Sequence, residues 1–506
     1  MIKGSSKSKG LLLAAVAGLF AMPQSALAQE AELMVSAIRG DRLKEQPAVS
    51  FTADPAAKAD FVIDEKATDQ TIIGFGASFQ EAGMIAINDL SPGKQEEVMR
   101  MMFDPKQGVG FSAMITYIHA TDMQAAGPYF TYADTPGDFN FDHFTIERDL
   151  RPTGTATFIQ RARKYGDFTL AARMDYPPNW LLTSMQMTPM NQVPPKNYPY
   201  VSKYLLKYLE AYRKIGIDID YLSPFNEPGN YTKISFLEIG NFIRDHLGPD
   251  LQKSGFDTKI QFADASQRRL ASAAYPPILK DPAVAKYIAG LTYHNYDYAH
   301  VENRDDSEAV AGIAQLHKDF PNVHLWMSEA CYHDGGWPTD PLHRSWIRQI
   351  PVYGFDDGDF WGQQIFSELE AGASAWTYWN LLLDQAGGPS LSSPLHSYPP
   401  INRQQAVVHV NRDHDEILYP GVFYYLGHFA KFVRPGSVRV TTTGKAADIR
   451  VLTFKRPDGK LVAQVMNSSF EPRVSSLAWN GRTLPLDLPA RSISSYVWDK
   501  SGATKK

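Results

Sequence analysis

Between about residues 71 and 380 the chain alternates short apolar runs with longer stretches whose apolar residues recur every three or four positions. The runs fall at 71–79, 110–119, 168–177, 219–225, 259–265, 290–296, 323–328 and 372–380. Their length and continuous apolarity suit strands covered on both faces. In the stretch 201–215, Val201, Tyr204, Leu205, Tyr208, Leu209, Tyr212 and Ile215 line one helical stripe, and Ala309, Ile313, Leu316 and Phe320 repeat the device before the seventh run. Eight strands alternating with helices predict an α/β fold, a parallel (β/α)8 TIM barrel whose active-site residues gather at the carboxyl ends of the strands.

Beyond the barrel lies a Pro/Gly/Ser-rich stretch, 384–420, long enough to suggest a functional covering loop. Short alternating runs follow at 437–443, 449–455, 461–467, 473–479 and 492–498, with Pro457-Asp-Gly-Lys460 as a hairpin turn. They predict an antiparallel β-sandwich, which the strand-like segments 32–38 and 61–63 join from the other end of the chain. The resulting domain reading is 29–70 for N-terminal strands of the sandwich, 71–415 for the barrel, 416–500 for the C-terminal sandwich and 501–506 for a disordered tail. No internal repeat or low-complexity segment interrupts this plan.

Composition narrows the function. The chain of 506 residues is 44% apolar and 21% charged, which is ordinary for a soluble globular protein. A net charge of −5 and no long run of Lys and Arg speak against nucleic acid as a partner. Lys3, Lys7 and Lys9 precede an apolar stretch, 11–22, and Ala26-Leu-Ala28 before Gln29, the pattern of a cleaved signal peptide over 1–28. The expectation is export to the periplasm or beyond, with no integral membrane segment, since the apolar stretch is too short to span a bilayer comfortably. Cys331 is the sole cysteine, so no intramolecular disulfide is available. It reads as a small buried filler rather than a nucleophilic thiol, because no His partner pattern accompanies it.

Two glutamates stand where apolar runs give way to loops: Glu227 in Leu222-Ser-Pro-Phe-Asn-Glu-Pro228, and Glu329 in His324-Leu-Trp-Met-Ser-Glu-Ala330. One such glutamate reads most simply as a helix cap or an arginine's partner. Two in matching contexts, closing the fourth and seventh strands, point to a carboxylate pair in one cleft, the equipment of a glycosidase. Asp122, Asp175, His294, Tyr296, Trp376, Trp379 and Asn380 occupy further strand-end positions, supplying the rings and polar groups a sugar site needs. No metal is expected, because the histidines lack ligand spacing, and no glycine-rich phosphate cradle implies another cofactor.

The order of motifs resembles glycoside hydrolase family 30, in the branch containing lysosomal glucosylceramidase. It is carried by Gly74-Phe-Gly76, Thr131-Tyr-Ala-Asp-Thr-Pro136, Asn226-Glu-Pro228, Ser328-Glu-Ala-Cys331, Trp376-Thr-Tyr-Trp-Asn380 with Gly387-Gly-Pro389, and 423–432. The resemblance implies a barrel with a sandwich built from both chain ends, acting on a β-linked glycoside or glycan. It makes Glu227 the general acid/base and Glu329 the nucleophile of a retaining, exo-acting β-glucosidase. By the same resemblance Asn226 donates to the sugar 2-OH, His294 and Tyr296 orient the nucleophile, Asp122 holds far hydroxyls of the glycone, and Trp379 is an aromatic platform.

Two positions depart from that pattern. Ile115 stands on the second strand where the family usually has an arginine, and Asp175 stands where a sugar-stacking tryptophan is expected. Arg173 is a candidate compensating cation. A carboxylate in place of a ring exchanges stacking for hydrogen bonding, which leaves open a β-1,6-glucanase, β-1,6-galactanase, β-xylosidase or β-fucosidase. A carbohydrate-binding protein that has lost catalysis is the reading from another class.

Overall fold

Eight parallel strands close on themselves: Gly74–Ser78, Ala113–Ile118, Thr169–Met174, Tyr221–Ser223, Lys259–Ala265, Ile288–His294, His324–Glu329 and Ala373–Asn380. Each falls within or against one of the eight apolar runs. The barrel closes where the eighth strand pairs with the first, Trp376 opposite Phe75 and Tyr378 opposite Ala77. The computed structural model describes residue 1 and residues 29–53, 58–121, 123–125, 129–184, 191–297, 306–331, 354–355, 357–389 and 404–500. The expected signal segment after residue 1, the expected tail and Asp122 lie outside the described residues.

The first strand shows why its sequence is Gly-Phe-Gly. A Cβ on Gly76 would stand 2.1 Å from the Ala113 carbonyl oxygen, so the neighbouring backbone approaches closer than any side chain allows. Phe75, on the opposite face, is wholly buried and its ring lies 5.5 Å from Phe429 of the helix Gly421–Phe432. We expect Gly76→Ala to lower stability by about 3 kcal/mol or more, because a rigid backbone must move to admit the methyl group. A urea unfolding curve with an unchanged midpoint would refute this packing.

Helices cover the barrel in the predicted order. Tyr198–Lys214 buries Val201, Tyr204, Leu205, Tyr208, Leu209 and Tyr212, all but the last member of the stripe read from the sequence, and Ser307–Asp319 buries Ala309, Ile313 and Leu316. The helix Gly421–Phe432 follows the eighth strand in the chain and packs against the barrel. Val422, Phe423, Leu426 and Phe429 enter the barrel's core, while His428 accepts or donates bonds with Ser495 and Ser36 of the sheet behind it. Its apolar residues recur at helical spacing, and the barrel offers the larger apolar surface.

The second unit is a nine-stranded arrangement, ordered Arg482–Leu488, Arg473–Trp479, Phe61–Thr71, Val438–Gly444, Ile449–Lys455, Leu461–Asn467, Ser492–Trp498, Glu30–Ala37 and Lys44–Ser50. Both chain ends contribute, as expected, and Glu30–Ala37 pairs antiparallel with Ser492–Trp498. The covering stretch after the eighth strand is partly regular: Leu382–Asp384, Val408–Asn411 and Glu416–Leu418 form a small sheet. Residues 390–403 of it lie outside the described set. No helix among the described residues is long and apolar enough to cross a membrane.

Candidate active site

Glu329 is the last residue of the seventh strand, so its position at the barrel rim follows directly from strand geometry. Glu227 lies four residues beyond the fourth strand, in a turn where its own φ is +40°. A left-handed conformation is costly for a residue with a side chain. It is held here by backbone bonds: the Glu227 amide donates to the Asp264 carbonyl at 2.9 Å, and the Asn226 amide to the Met174 carbonyl at 2.8 Å. Those bonds tie the turn to the third and fifth strands.

The two glutamates meet at His294, the last residue of the sixth strand. Carboxylate oxygens of Glu227 and Glu329 and a ring nitrogen of His294 lie within 4.8 Å of one another, all buried. His294 Nδ1 is 2.8 Å from Glu227 Oε1 and 3.7 Å from Glu329 Oε1. Asn230 donates to Glu227 Oε2 at 2.9 Å. Glu329 receives a phenol on each oxygen: Tyr296 donates to Oε1 at 2.9 Å and Tyr117 to Oε2 at 2.5 Å. An oxyanion gripped by two donors is favoured in its charged form.

Burial pushes Glu329 above the usual carboxylate range, and the nearby Glu227 adds to that push; His294, the Tyr117 hydrogen bond and Arg173 work against it. Burial opposes a charge on His294, but Glu329, the hydrogen bond and charge of Glu227, and Asp264 outweigh it, so the imidazole holds its proton above its ordinary range. The two carboxyls and the imidazole stand close enough for the charge on each to bear on the protonation of its neighbours. Such a set also suggests a cation site, and it is the one group of its kind among the described residues. Its atoms are already engaged, however: Nδ1 on Glu227, and both oxygens of Glu329 on phenols. The arrangement fits proton transfer and nucleophilic attack better than metal ligation.

Beneath the carboxylates runs a buried ion pair, Arg173 Nη1 to Asp264 Oδ1 at 2.8 Å. Asp264 Oδ1 also accepts from Ser328 Oγ at 2.9 Å, and Arg173 donates to the Ser328 carbonyl at 3.3 Å, next to the Glu329 backbone. The candidate compensating cation thus sits under the seventh strand. Behind the sixth strand, buried Arg268 binds Asp297 at 2.8 Å, fixing the loop that carries Tyr296.

The other expected site residues divide. Asn226 is buried beside Glu227 with its side-chain carbonyl oxygen unpartnered, which leaves an acceptor for a ligand hydroxyl. Asp175 is buried just past the third strand, and its charge bears on Tyr117. Trp379 is slightly open, with its indole N–H unpartnered, and its amide donates to the Ala330 carbonyl at 2.9 Å. Asn380 donates to Gln404 Oε1 at 2.7 Å, pinning the returning loop. Trp376 is not brought to the glutamates: its ring packs 6.2 Å from Trp361 on the helix Gly358–Glu370, in the layer between strand and helix. Alternation along a strand explains this, since residues three apart face opposite sides. Cys331 is buried, with Sγ 3.4 Å from the Tyr296 hydroxyl, the filling position expected of it.

Tyr117, Asn230 and Asp264 were not anticipated. Asp264 is the penultimate residue of an apolar strand, in Phe262-Ala-Asp-Ala265, so a search for carboxylates near the ends of apolar runs could have found it. Tyr117 carries no such signal, because tyrosine is an ordinary strand residue.

The barrel and the sandwich beside it match one known group. The Glycosyl hydrolase family 30 TIM-barrel domain matches residues 72–433, and the family 30 beta sandwich domain matches 436–496. The chain belongs to glycosyl hydrolase family 30. As a member of that family it is a glycosidase acting on glycan substrates. Lysosomal acid glucosylceramidase of Mus musculus is 30% identical to this family 30 chain over 451 residues, covering 85% of the chain and 81% of the relative. An endo-1,6-beta-D-glucanase of Neurospora crassa is 25% identical over 387 residues, covering 74% and 73%. Among solved structures, SrfJ from Salmonella typhimurium superposes with a TM-score of 0.81 at 22% identity, covering 93% of this chain and all of that one. The endo-beta1,6-glucanase BT3312 gives 0.77 at 21% identity, covering 93% and 99%.

Proposed function

We propose that this family 30 glycosidase is a retaining, exo-acting β-glucosidase similar to glucosylceramidase, exported by the segment 1–28. The observation that carries the mechanism is the approach of Glu227 and Glu329 oxygens to within 4.8 Å. Retaining enzymes hold their carboxyl groups about 5–5.5 Å apart, whereas inverting ones leave about 6.5–9.5 Å for a water. Glu329, gripped by two phenols, is the nucleophile: one of its oxygens attacks the anomeric carbon as Glu227 protonates the departing glycosidic oxygen. Glu227 then removes a proton from water, which attacks the same carbon and releases Glu329 as a carboxylate. Asn226 contacts the sugar 2-OH, Asp175 and Asp122 bind glycone hydroxyls, and Trp379 offers a ring face.

The glucosylceramidase relative supports a single-glucose glycone. Asp175 supports a second reading, a β-1,6-glucanase, because a carboxylate there suits a hydroxyl-rich chain rather than a stacked ring. Aryl β-glucoside, galactoside, xyloside and fucoside, glucosylceramide and β-1,6-glucan would be compared as substrates, with proton NMR of the first-formed anomer. Glucose released in the β form from the aryl glucoside and from glucosylceramide is the expected result. Internal cleavage of the glucan with inert aryl glucosides would select the second reading, and an α product would defeat both.

A further inference from the structure

Among the described residues no arginine or lysine pairs with the nucleophile assigned above; the ionisable base beside it is His294, with Nδ1 3.7 Å from Glu329 Oε1. Ile115 is buried on the second strand, and Arg173, on the third, is paired with Asp264 and reaches the seventh strand through the Ser328 carbonyl. What touches Glu329 Oε2 is the hydroxyl of Tyr117, at 2.5 Å, from a ring 2% exposed that spans the barrel mouth from the second strand. Tyr296 takes the other oxygen. We infer that Tyr117 is a positioning residue for Glu329, supplying the charge-holding donor on Oε2 and stabilising the carboxylate as it departs from the sugar. This rests on Glu329 being the nucleophile.

The physical case is one of charge accounting. A buried carboxylate needs strong donors to stay ionised, and a phenol hydrogen bond to an anion is about twice as strong as one between neutral partners. Glu329 is faced by Glu227, which opposes its charge, and by His294, Tyr296 and Arg173, which favour it; Tyr117 is faced by Arg173 and Asp175. Burial keeps the Tyr117 phenol far above its ordinary range, so it remains a donor and never competes for the role of anion. Once the sugar ester has formed, Glu329 carries no charge and the bond to Tyr117 weakens. As the ester breaks, charge returns to the carboxylate and the bond strengthens again. The second half of the reaction therefore depends on Tyr117 more than the first.

Tyr117→Phe keeps the ring and removes only the donor. With a dinitrophenyl β-glucoside, whose turnover is limited by the second half, kcat should fall about 10- to 100-fold, while kcat/KM at the optimum falls less. The acidic limb of the kcat/KM profile should rise by about one pH unit, because Glu329 becomes harder to ionise. Tyr117→His, which retains a ring donor, should restore part of the limb, and serves if the phenylalanine variant does not fold. An acidic limb left in place in a folded variant, or equal losses in kcat and kcat/KM, would overturn the inference. Mapping a 2-deoxy-2-fluoroglucosyl adduct in the parent protein separates the cases: an adduct on Glu329 with an unmoved limb sinks only the role of Tyr117, whereas no adduct there sinks the nucleophile and this inference together.

Discussion

Replacing Glu329 by glycine is expected to lower turnover of an aryl β-glucoside by more than about 10⁴-fold, the scale of loss when a covalent nucleophile is removed. The fold should persist, because the side chain lies at a strand end among donors rather than in the apolar core. Deleting the carboxylate leaves a niche bordered by the hydroxyls of Tyr117 and Tyr296, which face Glu329 at 2.5 and 2.9 Å. A small anion such as azide can enter it and attack from the same side. Added azide should then restore measurable turnover and yield the α-glucosyl azide, with inverted configuration. Recovery of the β-azide would show that the attacking group comes from the opposite face.

Glu227→Ala should be nearly as damaging but selectively so. General acid catalysis contributes about 10²- to 10⁴-fold, and it matters most where the leaving oxygen is basic. The first chemical step should fall by that amount with alkyl glucosides and glycolipids, yet change little with a dinitrophenyl glucoside, whose leaving group needs no proton. Loss of the acid should also flatten the alkaline limb of the pH profile, since that limb reports the proton held by the Glu227–His294 pair, 2.8 Å apart. Azide should rescue the variant by forming the β-glucosyl azide. Equal losses for both leaving groups would remove Glu227 from the role of acid.

How much of this was legible in the sequence depends on how each residue meets its surroundings. The barrel strands announce themselves because both faces are buried, making continuous apolar runs. The strand Lys44–Ser50 went unread because it is an edge: Lys44, Glu45, Pro47 and Ala48 are exposed, and a proline is tolerated only where one side of the strand lacks a partner. Glu329 was readable as a carboxylate closing an apolar run. Trp376 and Trp379 looked equivalent as letters, although strand alternation alone places residues three apart on opposite faces. The bulge between Tyr378 and Asn380 then resets the phase at the rim.

Contacts across the barrel mouth are a different matter. Tyr117 and Glu329 are 212 positions apart in sequence, and their meeting depends on the tilt and closure of the whole barrel. Arg173 could be suspected from the sequence, but its partner Asp264 fixes where the charge goes, and that pairing joins the third and fifth strands through the interior. Local patterns therefore locate the rim, and closure decides which rim residues touch.

The most direct test is to inactivate the protein with 2-deoxy-2-fluoro-β-D-glucosyl fluoride, digest it and map the label by mass spectrometry. The fluorine slows both halves of the reaction and the fluoride leaves readily, so the sugar ester accumulates. A single adduct on the peptide containing Ser328-Glu-Ala-Cys331, localised to Glu329, is the predicted result. A label on Glu227 or elsewhere, or turnover of the fluoride without any covalent intermediate, would contradict the account.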